Sequence, residues 1–215
     1  VPVAGFTSIA HALSLPQYVD SLMSDHDLAD YYTAPAIESK PEGTPRNIVI
    51  IYMESVEDSL ANTSVFEKDM LTPIQEATAG WDSVTLQQPI DGRSTLGGIV
   101  NTQCGFPLRM ANNNLVGNST NVPGQHVQDY LPNATCLGDI LADQGYHSVF
   151  MGGANTSFAG RGTFLMDHGY SEVKGRGYWR DHGETEMRSD WGLSDRRLME
   201  LAKDEVTTLH DAGQP

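Results

Sequence analysis

Residues 47–53 read Asn-Ile-Val-Ile-Ile-Tyr-Met, and Glu54 follows them directly. A continuous apolar run of this length, rich in β-branched residues, is typical of a strand that is buried on both faces of a parallel sheet. Helices cover both faces of such a sheet, so the run indicates an α/β domain whose first central strand lies here. The 215 residues of the chain are enough for one domain of ordinary size.

The rest of the sequence alternates between helical and strand patterns. Residues 1–46 contain five prolines and no long periodic run, which predicts a lead-in or linker before a domain that spans residues 47–215. Within that domain the patterns predict helices over 72–79, from Ser94 or Thr95 to Gln103, over 137–144 and over 194–209, and further strands over 82–87 and 146–151. This order of elements is a βαβ rhythm.

The charge of the chain excludes one large class of partners. Lys and Arg number 13 against 28 Asp and Glu, which gives a formal net charge of −15. Binding to a nucleic acid duplex normally needs a clustered basic face, so we expect no nucleic acid partner. No stretch approaches 18 consecutive apolar residues, so no membrane-spanning segment is predicted in this chain.

The two cysteines, Cys104 and Cys136, are too few for a disulfide-based scaffold and lack the paired spacing of a zinc site. In an oxidising compartment they could form one disulfide, which would close a loop. The alternative is two separate, small, buried side chains. The spacing leaves both possibilities open.

Three polar residues follow or begin predicted elements at the edge of the sheet where ligands collect in open α/β folds. Glu54 ends the first strand, Thr95 begins a helix, and Arg161 lies beyond the 146–151 strand. A carboxylate could hold a divalent metal, which would make a threonine hydroxyl reactive, and a guanidinium could bind phosphoryl oxygens. The set suits phosphoryl transfer. Each residue also has a simpler interpretation: an acid at a helix start, a helix cap, and a surface arginine.

Several sequence blocks, taken together and in order, carry a resemblance to a known family. They are the run 47–57, residues 92–108 (Gly-Arg-Ser-Thr-Leu-Gly-Gly-Ile-Val-Asn-Thr-Gln-Cys-Gly-Phe-Pro-Leu), residues 136–146, Phe-Ala-Gly-Arg at 158–161, His-Gly-Tyr at 168–170 and Trp-Gly-Leu-Ser-Asp at 191–195. The chain resembles the phosphoglycerol transferases of bacterial envelopes, which include lipoteichoic acid synthases and periplasmic glucan-modifying enzymes of the alkaline phosphatase and sulfatase superfamily. The Gln-Cys-Gly-Phe-Pro-Leu block is closer to the glucan-modifying branch.

The resemblance implies a fold and a reaction. The fold is an alkaline phosphatase-like, three-layer α/β/α sandwich with a largely parallel central sheet. The reaction transfers glycerol phosphate from phosphatidylglycerol to a glucan or a glycerol phosphate polymer through a phosphothreonine intermediate. It would take place at the extracytoplasmic face of the cytoplasmic membrane, to which segments outside this chain would tether the enzyme.

The resemblance also implies residue roles. Glu54 corresponds to a ligand of a divalent metal, Mn²⁺ or Mg²⁺ with Zn²⁺ as a further option. Thr95 corresponds to the nucleophile and a second metal ligand, with Ser94 as the alternative nucleophile. Arg161 corresponds to the arginine that binds the substrate phosphate.

The sequence departs from the family pattern at the Asp-His pair that completes the metal site. Asp181-His182 and Asp167-His168 imitate that pair, but neither follows an apolar strand. We therefore expect the chain to be the N-terminal part of a catalytic domain, with weak Mn²⁺ binding and little activity by itself. Residues 104–109 have one residue too many for the sulfatase Cys-X-Pro-X-Arg motif, which disfavours a formylglycine sulfatase.

Two other functions remain open on sequence grounds. A phosphatase or phosphodiesterase of the same superfamily would use water as the acceptor. A non-catalytic sensing or binding domain would keep the fold without the metal site.

Overall fold

The computed structural model of the chain describes residues 19, 23, 32–37, 43, 45–87, 94–108, 127–188 and 191–215. The helices are α1 (Thr72–Ala77), α2 (Thr95–Cys104), α3 (Leu137–Asp143), α4 (Arg161–Asp167), α5 (Arg176–Asp181) and α6 (Asp195–Asp211), with short 3-10 turns at Asp58–Ala61 and Phe158–Gly160. The strands are β1 (Val149–Met151), β2 (Glu172–Lys174), β3 (Met187–Arg188) and β4 (Gly192–Leu193). Over the described ranges, none of the helices has both the length and the hydropathy needed to cross a bilayer.

Strands β1 and β2 form a parallel pair in which Val149 lies opposite Glu172 and Met151 lies opposite Lys174. Helix α4 connects them, so the unit is a β-α-β crossover, and the predicted strand over 146–151 is confirmed in its last three residues. Strands β3 and β4 form a separate antiparallel pair.

The hydrophobic core is formed by α2, α4 and the segment 130–136 that leads into α3. Phe164 and Val100 are completely buried, and Leu96 and Leu165 are each 1% exposed. Tyr130 packs edge-on against Phe164, with 5.7 Å between the ring centroids. Burial of each of these large side chains contributes about 1.5–3 kcal/mol relative to exposure, so this cluster holds the helices in place.

Cys104 and Cys136 form a disulfide. Cys104 is the last residue of α2, and Cys136 is the N-cap of α3, so the bond fixes the end of one helix to the start of the next. Of the two possibilities left open by the sequence, the structure shows the covalent one.

The predicted helices are confirmed, with shifts of one or two residues at their ends. The Ser94 side chain caps α2 by accepting a hydrogen bond from the Gly97 amide at 3.1 Å, and Gly105 ends the helix with a φ of +78°. Ser194 caps α6 in the same way through the Arg197 amide. Pro73 lies in the first turn of α1, where its missing N–H costs nothing.

Two predicted strands are wrong. Residues 47–53 and 82–87 pair with no strand in the part of the chain that the structure describes. The apolar side chains from Ile48 to Met53 are between 42% and 63% exposed, and Val84 and Leu86 are about four-fifths exposed, at 80% and 79%. A strand pattern reports the residues' preference, but a strand also needs a neighbour to pair with, and the described ranges place none beside either segment.

Most of the predicted lead-in, residues 1–46, lies outside the described residues. Tyr32 is described, and it reaches the region of the disulfide. Its hydroxyl donates to the Thr135 carbonyl oxygen and lies 3.1 Å from the Thr135 amide. Its ring packs edge-on against Phe106 at a centroid distance of 5.3 Å. This part of the lead-in therefore contacts the chain on both sides of the disulfide.

Candidate active site

The structure brings Glu54 and Thr95 together. The Thr95 hydroxyl donates a hydrogen bond of 2.6 Å to the Glu54 Oε1 atom, although 41 residues separate them. Glu54 lies in a turn after the extended segment 45–53, and the next residue, Ser55, has a φ of +59°. That left-handed conformation is unusual for serine and reverses the chain immediately after Glu54.

The hydroxyls of Ser94 and Thr95 have different surroundings. The Ser94 oxygen accepts the Gly97 amide and caps α2, whereas the Thr95 hydroxyl donates to the Glu54 carboxylate. Thr95 therefore has an anionic hydrogen-bond acceptor at the positive end of the α2 dipole. Ser94 has a structural partner instead.

Arg161 begins α4 and is 8% exposed. One of its terminal nitrogens donates to the Asn155 carbonyl oxygen at 3.3 Å, and its guanidinium lies 5.2 Å from the centre of the Phe150 ring. Its Nε atom is buried and has no hydrogen-bond partner among the described residues. A buried guanidinium with an unused N–H group is suited to bind an anion.

Local backbone geometry and charge position this arginine. Ala159 and Gly160 both have positive φ values, +57° and +74°, so the chain turns sharply just before Arg161. Burial lowers the pKa of the Arg161 guanidinium, and the negative charge of Glu54 offsets part of that effect. Arginine stays protonated even so, and the site therefore combines a carboxylate, a hydroxyl and a buried cation.

Tyr52 links the extended segment to α2, a role that the sequence interpretation missed. Its hydroxyl lies 2.9 Å from the Thr102 oxygen and accepts a hydrogen bond of 2.8 Å from the Gln103 amide nitrogen. Two spacings in the sequence could have indicated that Tyr52 and Thr102 lie beside Glu54 and Thr95. Tyr52 is two residues before Glu54, and Thr102 is seven residues after Thr95.

The oxygen donors of Glu54 and Thr95 fit part of a site for a hard divalent cation. A carboxylate and a hydroxyl 2.6 Å apart can both contact one ion, and Mg²⁺ and Mn²⁺ prefer oxygen ligands. In the part of the chain that the structure describes, no group of three potential ligand side chains includes Glu54. The described residues therefore supply two of the ligands that such an ion needs.

One group of potential ligands, Cys136, Asp139 and His168, does lie close together. The Cys136 sulfur is committed to the disulfide, so it cannot bind a metal as a thiolate. Both ring nitrogens of His168 are within 2.8 Å of hydrogen-bond partners, Asp139 and the Tyr130 carbonyl oxygen. This group is explained as a buried polar network that supports α3 and α4.

The two pairs that imitate the family's Asp-His motif have other partners. Asp167 accepts the Tyr130 amide, next to the buried His168. Asp181 pairs with Arg180, and His182 contacts the Tyr178 carbonyl oxygen at 2.8 Å. No hydrogen bond or ion pair among the described residues joins either pair to Glu54.

Comparison with known proteins defines the class. The Sulfatase family matches residues 46–215, and the chain belongs to that family. This membership, together with the parallel strand pair and its covering helices, confirms the predicted α/β fold class.

Similar proteins of known name indicate which group within this family the chain resembles. The chain is 38% identical over 180 residues to phosphoglycerol transferase I of Xanthomonas campestris pv. campestris, an alignment that covers 83% of this chain and 25% of that protein. It is 34% identical over 194 residues to phosphoglycerol transferase I of Escherichia coli O139:H28, covering 88% of this chain and 24% of that protein. The resemblance inferred from the motifs is confirmed. The chain spans about a quarter of the length of these relatives.

A solved structure is also similar to the chain. It is a protein of the alkaline phosphatase superfamily from Vibrio parahaemolyticus, with 25% sequence identity and a TM-score of 0.37. The match covers 52% of this chain and 24% of that one.

Proposed function

We propose that this chain supplies the nucleophile, a metal ligand and the phosphate-binding arginine of a phosphoglycerol transferase. The observation that carries the proposal is the contact of the Thr95 hydroxyl with the Glu54 carboxylate. The buried, incompletely bonded guanidinium of Arg161 supports it, because burial of a cation is costly unless an anion or hydrogen-bond acceptor compensates it.

In the first step, the Thr95 oxygen attacks the phosphorus of a phosphodiester donor. A threonine–phosphorus bond forms, the bond from phosphorus to the leaving alcohol breaks, and that alcohol takes up a proton. Glu54 is within hydrogen-bonding distance of the Thr95 proton and orients the hydroxyl. Arg161 binds the phosphoryl oxygens through its planar N–H groups.

In the second step, a hydroxyl of the acceptor attacks the same phosphorus. The threonine–phosphorus bond breaks, and Thr95 recovers its proton. Glu54 and Thr95 would hold a divalent cation, which, when bound, would neutralise phosphate charge and activate the Thr95 hydroxyl. The helix dipole at the start of α2 favours the same negative charge.

The relatives support phosphoglycerol transfer at the level of the family, and the donor, the acceptor and the location are part of our proposal. We take the donor to be the headgroup of phosphatidylglycerol and the acceptor to be a glucan or a glycerol phosphate polymer. The disulfide supports an extracytoplasmic site of action, because structural disulfides persist in oxidising compartments and are rare in the cytosol. Hydrolysis by water is the rival reaction within the superfamily.

The test is a transfer assay on the intact protein with fluorescent phosphatidylglycerol, Mn²⁺ and a glucan acceptor. Thr95→Ala and Glu54→Gln should each lower turnover on the order of 10³-fold, as expected when a nucleophile or its activating group is removed. Ser94→Ala is the matched control, and it should lose only the helix cap, about 1 kcal/mol of stability. Turnover that survives Thr95→Ala would refute the proposal, and free glycerol phosphate as the sole product would favour the hydrolase.

A further inference from the structure

We propose that Tyr52 is a positioning residue for Glu54 and Thr95. Its hydroxyl holds the extended segment that ends in Glu54 against the helix that begins with Thr95. This inference rests on the proposed function, in which Glu54 and Thr95 form the reacting pair.

The spacing of the contacts explains why one tyrosine can do this. Tyr52 and Glu54 are two residues apart, and the side chains of both contact α2, Tyr52 at Thr102 and Glu54 at Thr95. Thr95 and Thr102 are seven residues apart in α2, so both lie on the same face of the helix. Two side chains of the segment therefore meet two positions on one helix face, and Tyr52 fixes the register of that meeting.

The donor and the acceptor can be assigned for each hydrogen bond of the Tyr52 hydroxyl. The Thr102 oxygen is 3.0 Å from the Gly98 carbonyl oxygen and 2.9 Å from that of Ile99, so its proton is used within the helix. Thr102 is then the acceptor for the Tyr52 hydroxyl, while the buried Gln103 donates to the Tyr52 oxygen. The hydroxyl of Tyr52 thus has one donor and one acceptor on α2, which fixes its position.

The segment has little else to hold it. Its apolar side chains are exposed and its backbone joins no ladder with the residues that the structure describes, so among these residues packing does not determine where Glu54 lies. The other described side-chain contact to its backbone is distant from Glu54: the Tyr146 hydroxyl donates to the Arg46 carbonyl oxygen at 3.0 Å. Loss of the Tyr52 contacts should therefore broaden the range of distances between Glu54 and Thr95.

Two predictions about kinetics follow. Arg161 is on a different element, and neither hydrogen bond of the Tyr52 hydroxyl involves it, so Tyr52→Phe should leave KM within about twofold of the wild-type value. The variant should lower kcat by about tenfold, because small misplacement of a reacting pair has large effects on rate.

The experiment compares Tyr52→Phe with Tyr146→Phe in the intact protein. Tyr52→Phe removes the hydroxyl that joins the segment to α2, Tyr146→Phe removes the hydroxyl that donates to the Arg46 carbonyl oxygen of the same segment, and each variant keeps the aromatic ring. We expect the loss of kcat only in Tyr52→Phe. Thr102→Val should give part of that loss, and the double variant Tyr52→Phe/Thr102→Val should be no worse than Tyr52→Phe alone, since both remove one interaction.

The outcomes separate this inference from the proposed function. Equal effects of the two tyrosine variants, or a raised KM with unchanged kcat, would overturn the role of Tyr52 while Thr95→Ala and Glu54→Gln still abolish transfer. If the wild-type protein shows no transfer, the proposed function fails and amide hydrogen exchange decides about Tyr52. Faster exchange over residues 50–55 in Tyr52→Phe than in Tyr146→Phe would support the inference, and equal exchange would contradict it.

Discussion

Two regions of this chain differ sharply in how they are held. From Ser94 onward, the described residues form helices and strands around a core in which Phe164 and Val100 have no exposed surface, and a disulfide joins two of the helices. Residues 45–87 contain one short α-helix and one 3-10 turn, and their apolar side chains are largely exposed. The first region is positioned by packing, and the second by individual hydrogen bonds.

The candidate site lies where the two regions meet. Thr95 and Arg161 belong to the packed region, and Glu54 belongs to the exposed one. The proposed nucleophile and the proposed phosphate-binding group are therefore fixed in place, whereas the Glu54 carboxylate depends on contacts such as that of Tyr52. Mutations in the packed region should therefore change the free energy of unfolding more than mutations in the exposed region.

The largest effect on stability is expected in the packed region. Phe164→Ala should lower the free energy of unfolding by about 3–5 kcal/mol, because it removes a completely buried ring and leaves a cavity. Val84→Ala in the exposed region should change it by less than about 0.5 kcal/mol. Urea denaturation measures both, and similar losses for the two variants would mean that the regions are equally packed.

Removal of the disulfide should have the next largest effect. The bond closes a loop between residues 32 positions apart, and Cys104→Ser/Cys136→Ser should cost about 3–4 kcal/mol through the greater freedom of the unfolded chain. Reducing agent should shift the denaturation midpoint of the wild-type protein and leave that of the double variant unchanged. A midpoint that is the same for both proteins without reductant would contradict this expectation.

The smallest effect concerns acid stability. A hydrogen bond from His147, assisted by Lys174, lowers the pKa of the Glu172 carboxyl. The interaction therefore stabilises the folded state at pH values above the ordinary carboxyl pKa of about 4.5. This stabilisation is lost as the pH falls through the lower pKa that the carboxyl has in the folded state. Glu172 is 43% exposed, so we expect less than about 1 kcal/mol. Thermal unfolding of Glu172→Gln between pH 3 and 7 should show a shallower acid slope than the wild-type protein, and equal slopes would exclude this contribution.

The sequence predicted four of the six described α-helices, because their signals are local, and it did not predict α4 and α5. Ser94 and Ser194 each precede a helical run as an N-cap, and Gly105 follows α2 as a left-handed terminator. The strand over 146–151 was also predictable, since β2 lies beside it in the described structure. The segments 47–53 and 82–87 have equally strong strand patterns and remain unpaired, because pairing depends on neighbours that a local pattern cannot specify.

Parts of the candidate site were predictable for a different reason. The sequence placed Glu54, Thr95 and Arg161 at element ends. In the structure Thr95 and Arg161 begin helices, and Glu54 contacts Thr95 although it lies in a turn after a segment that was wrongly predicted as a strand. The roles of Tyr52 and Gln103 were not predicted, because they depend on the register between a segment and a helix. The buried state of Arg161 depends on the three-dimensional arrangement of Phe150 and Asn155 around it.

The most direct measurement is to locate the covalent intermediate. The intact protein would be mixed with phosphatidylglycerol and Mn²⁺, quenched in acid and digested, and the peptide containing residues 94–108 would be fragmented in a mass spectrometer. We predict a glycerophosphoryl group on Thr95 that is absent from Thr95→Ala and strongly reduced in Glu54→Gln. A group on Ser94, or transfer that proceeds with neither residue modified, would contradict the account.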